Sequence, residues 1–572
     1  MDHKQIILDF TTQANLKVDE LKFLNNNIDF ITKKFDQYMC DLKTYNIKFK
    51  NYFILSLFNS NNFSDLYYLI CKIEILKNYL DNNKKIKKII IDDQSTKNIY
   101  LQILNNYSSH AEVEDISNKI TIFKHFKKLF ILIYKIFIDY LATRLVKLNN
   151  KFSEKIALIE TFLSSENIKE NFIIDNYFGK YDNYLTKKDL QKLVVFPRLL
   201  DGKTLSLKKL FNLLKKIKYN NRRFLIDISM LNINDYFFCF FSTIFITNKN
   251  YIIPKYDNIN LNEFCNFQIT KDFANLSILS NFYRMRSIKK LSKTKTSITS
   301  VVSWYENQSI DKTSIFYFKK YFPKIILKSY HGYYLFFSNS SLFLSNFEIE
   351  NNLAPDYICC ISRNCIDKYS SLANFKQINL VPGYRYEYLN DLCSNKNEKK
   401  DKKILISLSL LKEEVKRLLS FANFIAKDFD HFQITIAFHP RYQKKTIDSF
   451  VSEHLTEFAK KKILVSNQLS NKIIQDYDLV LTYNSHIANE ASFLNIPVGI
   501  SANLKGSTMN PLSSGIIDNY SFVFYEYSEL KKNISIIMNN EIKHDNKYIS
   551  LINEKTIITP TAQNTKSFFL ND

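Results

Sequence analysis

At 572 residues the chain is too long for one ordinary core and holds enough apolar sequence to build two. Its formal charge of +23 favours an acidic partner such as nucleic acid, anionic lipid or a phosphate-bearing substrate, although a composition with only 7 Gly, 9 Pro and 1 Trp would also follow from A/T-rich coding. Eight Cys, with no CxxC pair and no His at metal-ligand spacing, argue against a zinc or disulfide framework and fit buried thiols in a reducing cytoplasm.

In chain order, "MDHKQIILDFTTQ" carries an acid at once and lacks a long apolar core with a cleavage site, so no signal peptide is expected and the chain is placed in the cytoplasm. The sequence before about Tyr52 and the stretch 112–168 read as mainly helical. Around them recur apolar β-rich runs: "YFILSLF" from Tyr52, "KKIIID" from Lys87, "RFLIDIS" from Arg223, "SITSVVSW" from Ser297, "KIILKSY" from Lys324 and "DYICCIS" from Asp356. Continuous apolar runs are what strands covered on both faces look like, so a parallel sheet flanked by helices is predicted.

One segment, "FKHFKKLFILIYKIFIDYLATRLVKL" (123–148), approaches a membrane pattern, but Lys135, Asp139 and Arg144 interrupt it short of the ~20 apolar residues that spanning requires. It reads either as a core-packed helix with a solvated charged face or as a basic amphipathic helix lying on anionic headgroups, peripherally at the inner face of the cytoplasmic membrane.

The charged run "SNKNEKKDKK" (394–403) cannot pack into a core and marks a linker. Beyond it, "KILISLSL", "FQITIAFHP", "KILVSN", "DLVLTYN" and "IPVGIS" alternate with helical stretches, the pattern of a doubly wound domain. The expected fold is α/β: two Rossmann-like domains facing a cleft, with extra N-terminal helical segments. The division is an acceptor-side domain over 1–395 with a helical insertion at about 112–168, a linker at 396–403, a second domain over 404–545, and a tail over 546–572 packing back on the first domain.

In open α/β sheets, ligands collect beyond the carboxyl ends of strands. "FQITIAFHPRYQKK" ends a strand at His439-Pro440-Arg441, where the imidazole can donate to a phosphate oxygen, Pro440 stiffens the turn and Arg441 adds a charge-assisted donor. The same pair can also merely close a strand. In "DLVLTYNSHIANEASFLNIPVGI", Asn484 or Ser485 caps a helix whose first free N–H groups and positive dipole end suit an anion. Glu490, about one turn in, either reaches a ribose hydroxyl or lies on a solvated face.

This pairing of a strand-terminal His-Pro with a later strand, "NS", helix, "EA" and "IPV" resembles the nucleotide-binding half of GT-B glycosyltransferases, particularly the bacterial CMP-sugar users, the sialyltransferases and Kdo transferases of capsule and lipopolysaccharide synthesis. The resemblance implies a donor's CMP held by His439-Pro440 and Asn484-Ser485. It departs at His486, where a second Ser or Thr is usual, and at Asn495, which replaces a common Gly. "SWYENQSIDKTSIFYFKKYFP" from Ser303, "SYHGYYL" from Ser329 and "LAPDYICCIS" from Leu353 are similar in order to a family of bacterial surface-carbohydrate biosynthesis proteins, and "STMNPLSSG" from Ser507 to a Ser-Pro-Leu segment near that family's C-terminus.

The implied activity is transfer of an acidic sugar, Kdo or sialic acid type, from a CMP donor to a glycan or lipid-linked glycan acceptor of capsule, lipopolysaccharide or O-antigen, with inversion and without a metal or cofactor. Such transfer needs a base for the acceptor hydroxyl and stabilisation of the departing phosphate. Glu306, after "SITSVVSW", is the first candidate base, with Asp92 and Asp93 (Asp93 preferred of the two) as rivals; each also reads as an ordinary solvated acid. Asn307, His331 and Gly332 are expected to line the cleft. Asp428–Asp430 and Asp476–Asp478 form Asp-x-Asp pairs but precede strands, the wrong end for a ligand. The alternatives are a CDP-glycerol-type polyol-phosphate transferase of the same fold, an inactive scaffold, which His486 keeps open, and a basic nucleic-acid-binding protein. Against the last, Lys is spread evenly and no helix-turn-helix, RNP-like or zinc-finger pattern occurs.

Overall fold

The computed structural model describes residues 6–62, 64–117, 123–148, 152, 155–169, 172–333, 339–389, 402–466, 471–512, 521–539 and 558–571. Two large parallel sheets organise it. In the N-terminal lobe, strands Lys155–Glu160, Leu193–Val195, Arg223–Phe224, Ser297–Trp304, Ile326–His331, Tyr357–Cys360 and Ile378–Leu380, counted 1 to 7, lie side by side in the order 3-2-1-4-5-6-7. In the C-terminal lobe, Lys403–Ser407, Gln433–Ala437, Ile463–Ser466, Leu479–Thr482, Val498–Ser501 and Ser521–Phe524, counted 1 to 6, take the order 3-2-1-4-5-6. The winding reverses between strands 1 and 4 in both, and beyond the carboxyl ends at that reversal an open sheet leaves a crevice. This is the expected α/β architecture of GT-B type.

Local sequence explains the layering. Along Lys403–Ser407, Ile404 and Ile406 join one apolar cluster and Leu405 another, as a two-residue period across a doubly covered sheet requires. Helix Lys412–Asp428 buries Val415, Leu418, Leu419, Ala422 and Ile425, one stripe at helical spacing.

Before the N-terminal sheet in chain order comes a smaller sheet that shares its core. Ile6–Asp9, Ile86–Ile91 and Glu112–Asp115 form a three-stranded parallel sheet, packed with helices Val18–Asn26, Ile28–Asn46 and Asp65–Asp81. It touches the C-terminal lobe through Tyr67 Oη and Ser507 Oγ (3.0 Å), and Asn25 Nδ2 donates to Thr508 Oγ1 (3.1 Å) and Tyr525 Oη (2.8 Å). The last helix, Ala562–Leu570, lies on the N-terminal sheet: Phe568 meets the Tyr330 ring at 5.4 Å, and Ser300 Oγ donates to the Phe569 carbonyl at 3.2 Å.

Several expectations are corrected. The run from Tyr52 forms two 3-10 turns, Tyr52–Ile54 and Leu57–Asn59, preceded by Asn51 at φ 66°, because a continuous apolar run reports burial and not backbone conformation. "RFLIDIS" supplies only the two-residue strand Arg223–Phe224 before a 3-10 turn at Asp227–Met230. The stretch 112–168 holds helix Phe123–Val146, but also Glu112–Asp115 and the central strand Lys155–Glu160, a short apolar run whose period cannot separate strand from helix. The sequence before Tyr52 is mainly helical as expected, with Val18–Asn26 and Ile28–Asn46, and also supplies the strand Ile6–Asp9. Of the linker at 396–403, residues 396–401 lie outside the described residues, as do 540–557, Tyr334-Leu335 and the "SSG" from Ser513; Lys403 already belongs to a strand.

Candidate active site

In the C-terminal lobe, three strand ends surround the reversal point. Strand 1 runs into Ser407, Leu408 and Ser409; strand 2 runs into His439; strand 4 runs into Asn484, Ser485 and His486. Strands 2 and 4 flank strand 1, so at ~4.8 Å per strand their ends lie roughly 10 Å apart, a span suited to a nucleotide's phosphates and ribose. The Arg441 backbone N–H donates to His439 Nδ1 at 3.2 Å, which leaves the proton of the neutral ring on Nε2. Burial, then the neighbouring Arg441 charge, push the His439 pKa down, so the half-buried ring is neutral at pH 7 and donates through Nε2–H. Pro440 and Arg441 are exposed.

Helix Ile487–Phe493 begins one residue later than expected, with His486 in the cap position and no capping bond from its side chain; Ser485 Oγ accepts weakly from the Ile487 N–H at 3.4 Å. Asn484 and Ser485 are half-buried. Glu490 is buried, not solvated, and accepts a 2.6 Å hydrogen bond from the Tyr388 hydroxyl of the other lobe. Burial raises its pKa, while the Tyr388 bond and Arg385 pull it back.

In the N-terminal lobe, Glu306 follows strand 4 at the corresponding reversal point. Trp304 Nε1 donates to its Oε1 at 2.9 Å and Gln308 Nε2 to its Oε2 at 2.6 Å, so both oxygens are oriented yet keep lone pairs. Burial raises its pKa, with Asp311 adding to the rise and Arg198 and Arg385 opposing it. A carboxylate tuned upward at a strand's carboxyl end has the properties of a general base.

The Tyr177 hydroxyl senses charge from both lobes: burial and then Glu306 push its pKa up, while Arg441 and Arg385 draw it down. The Tyr177 loop is pinned by Asp175, whose Oδ1 accepts the N–H groups of Tyr177 and Phe178 (both 2.9 Å) and the Thr161 hydroxyl (3.0 Å). Two residues on, Gly179 adopts φ +64°, and a Cβ there would stand 2.5 Å from the Tyr384 carbonyl oxygen. That close approach draws the Tyr177 loop against the segment carrying Arg385 and Tyr388. Between the lobes, the rings of Tyr333 and His486 lie 5.3 Å apart, edge to face.

Five expected residues take other places. His331 is fully buried and shares a short hydrogen bond with the Tyr369 hydroxyl; burial pushes its pKa down to about 3, so it is a neutral core histidine. Gly332 makes room for aromatic rings, since a Cβ there would meet Tyr330 at 2.3 Å and Trp304 at 2.5 Å. Asn307 is a buried pin that donates to the Ser341 and Phe343 carbonyls (3.0 and 2.9 Å) and accepts from Tyr305 (2.9 Å). Asp93 caps the turn Gln94–Thr96 through the Ser95 N–H (3.0 Å), and Asp92 accepts from the Thr12 N–H (2.8 Å); both belong to the small sheet and not to either reversal point. The Asp-x-Asp pairs are structural at the points described: Asp478 accepts the Lys403 N–H at 2.9 Å and Asp428 the Tyr527 hydroxyl at 2.8 Å. Among the described residues no group of three His, Cys, Asp or Glu side chains is placed to hold a metal.

Tyr177, Arg385 and Tyr388 were not singled out in the sequence. Their signal was scarcity: Gly179 and Pro382-Gly383 are among only 7 Gly and 9 Pro, each beside one of these residues.

Neither a family model nor a curated protein matches the chain. Solved structures are similar in outline. The UDP-GlcNAc 2-epimerase of Neisseria meningitidis bound to UDP-GlcNAc is 12% identical, covering 73% of this chain and 98% of that one, with a TM-score of 0.39. The UDP-GlcNAc 2-epimerase of Methanocaldococcus jannaschii in complex with UDP-GlcNAc and UDP is 15% identical over 69% and 98% of the two chains, TM-score 0.36. TarM is 13% identical over 51% and 57%, TM-score 0.30. At these scores the likenesses carry no argument, and the fold assignment rests on the two strand orders.

Proposed function

We propose that this protein is a GT-B-type glycosyltransferase that moves a sugar from a nucleotide donor to a hydroxyl of a bacterial surface glycan, free or lipid-linked. The observation that carries the reading is the placement of Glu306 and the His439–Arg441 turn just beyond the carboxyl ends of strands beside the reversal point, each in its own sheet. The acceptor's hydroxyl proton passes to the Glu306 carboxylate as the acceptor oxygen forms its bond to the anomeric carbon. The bond from that carbon to the donor phosphate breaks, its electron pair stays on the phosphate oxygen, and the configuration inverts. His439 Nε2–H and Arg441 offset the charge on the departing phosphate, and Arg385 adds a cation from the opposite lobe.

Two features favour an acidic sugar on a CMP donor: the resemblance at His439-Pro440, and cations contributed by both lobes, which suit a carboxylate in addition to a phosphate. Thermal unfolding with CMP, CDP, UDP and GDP tests this, because a bound nucleotide stabilises the folded state by mass action. CMP is expected to raise the Tm of the wild type and to leave His439→Ala unmoved, with the unliganded Tm of the variant unchanged. Stabilisation by UDP or GDP without CMP removes the CMP assignment; no response to any nucleotide removes the transferase reading.

A further inference from the structure

A surface helix ordinarily turns its apolar stripe inward. Helix Phe123–Val146 buries one apolar stripe and exposes a second. Phe126, Phe130, Ile133, Phe137 and Leu145, spaced along one face, are 48–71% exposed, while the opposite face buries Leu132, Ile138, Ala142 and Val146 together with Lys135 and Asp139. The buried charges satisfy each other: Lys135 pairs with Asp139, and the Tyr283 hydroxyl donates to Asp139 Oδ2 at 3.2 Å.

The neighbouring helix Ile233–Phe245 buries Tyr236 and Cys239 and likewise exposes an aromatic face. It buries Asp235, held by Arg286 and by Lys290 at 3.0 Å, and exposes Phe237, Phe238, Phe241 and Phe245. The two helices lie side by side, with Tyr140 edge to face against Tyr236 at 5.8 Å. Cations border them on both flanks. Helix Leu207–Lys218, tied to the first by Lys218 Nζ donating to the Val146 carbonyl at 2.9 Å, exposes Lys208, Lys209, Lys215 and Lys216. Beside the second, Arg286 stacks over Phe238 at 4.8 Å, close enough to Lys289 to lower its pKa, with Lys293 adding to the effect.

We propose that this two-helix aromatic face docks on an anionic phospholipid surface, its Phe side chains entering the acyl boundary and its bordering Lys and Arg meeting the headgroup phosphates. An apolar patch of this extent on a soluble domain marks an interaction site. Charge selects the partner: a second copy seated on the same face would set one basic border against another, whereas anionic headgroups neutralise it. Among the described residues no helix is long and apolar enough to cross a membrane, so the contact lies in the plane of the interface.

Flotation of the full chain with phosphatidylcholine vesicles, with and without roughly a third phosphatidylglycerol, tests the proposal. The wild type is expected to float with the anionic vesicles and less so at high salt. The Phe130→Glu/Phe241→Glu variant should lose at least about tenfold in partitioning, and Phe130→Ser/Phe241→Ser should fall between, both with unchanged far-UV circular dichroism. Equal flotation of wild type and variants overturns the proposal. So does a wild-type dimer that the Glu variant dissociates while neither binds vesicles. Vesicle binding needs no turnover, so its outcome is separate from that of the transferase reading.

Discussion

The two sheets share one strand order and fill the same topological position in opposite ways. In the N-terminal lobe, strand 1 ends on fully buried Glu160, which Arg198 holds at 3.2 Å, Arg284 at 3.5 Å and the Ser314 hydroxyl at 2.9 Å. Arg198 also pairs with Asp311, whose Oδ2 accepts the backbone N–H groups of Gln308 (2.8 Å) and Glu306 (3.2 Å). The reversal point is thus occupied by the protein's own charges, and their function is to fix the turn that carries Glu306. In the C-terminal lobe, the equivalent strand ends on Ser407, Leu408 and Ser409. Small hydroxyl side chains replace the ion network there, and on the transferase reading the donor's phosphates bring the charge. A shared topology therefore fixes where a site can form, while the side chains at the reversal decide whether it is filled by a fixed ion network or by small polar side chains.

The largest expected effect comes from opening the N-terminal network. Arg198→Ala leaves Glu160 and Asp311 buried without their shared cation, and urea unfolding should show a loss of about 3–5 kcal/mol. A loss below about 1 kcal/mol would mean that the network does not hold this lobe together. Next comes the group the network positions. Glu306→Gln keeps the shape and the Trp304 bond only in part, and should lower kcat at least about a hundredfold while nucleotide stabilisation persists. Because burial raises the Glu306 pKa, the wild-type rate should climb with pH on a limb lying above the ordinary glutamate range near about 4.3, as the base loses its proton. That limb should vanish in the variant; a wild-type limb at the ordinary position, or one that survives substitution, assigns the base elsewhere. The smallest effect belongs to the contact between lobes. Tyr388→Phe removes one hydrogen bond to Glu490 and should cost about 1 kcal/mol in thermal unfolding, with no change if solvent replaces the bond freely.

Much of the C-terminal lobe was legible because its signals are local. Apolar runs of strand length punctuated by helices identify a doubly wound sheet, and His439 falls at a strand end because the run "FQITIAF" stops there. The N-terminal lobe was harder to read. "KIALIE" and "YFILSLF" are both short apolar runs; one became the central strand and the other two 3-10 turns, a choice made by their neighbours. His331-Gly332 looked like a ligand pair, but the packing of Trp304, Tyr330 and Tyr369 made it core. Glu306 was singled out from position alone, whereas Tyr177 lies 129 residues before it and Arg385 79 residues after it, and no local pattern links them.

The sequence by itself determined the class of fold and where several central strands end, because period and punctuation act over a few residues. Only tertiary structure decided which of those ends lie beside a reversal point, and which way helix Phe123–Val146 faces. Its apolar residues fit either orientation in one dimension, and the choice was made in three, where Leu132, Ile138, Ala142 and Val146 are buried together with Lys135 and Asp139. Contacts between distant segments carry that information, and a one-dimensional pattern does not contain it.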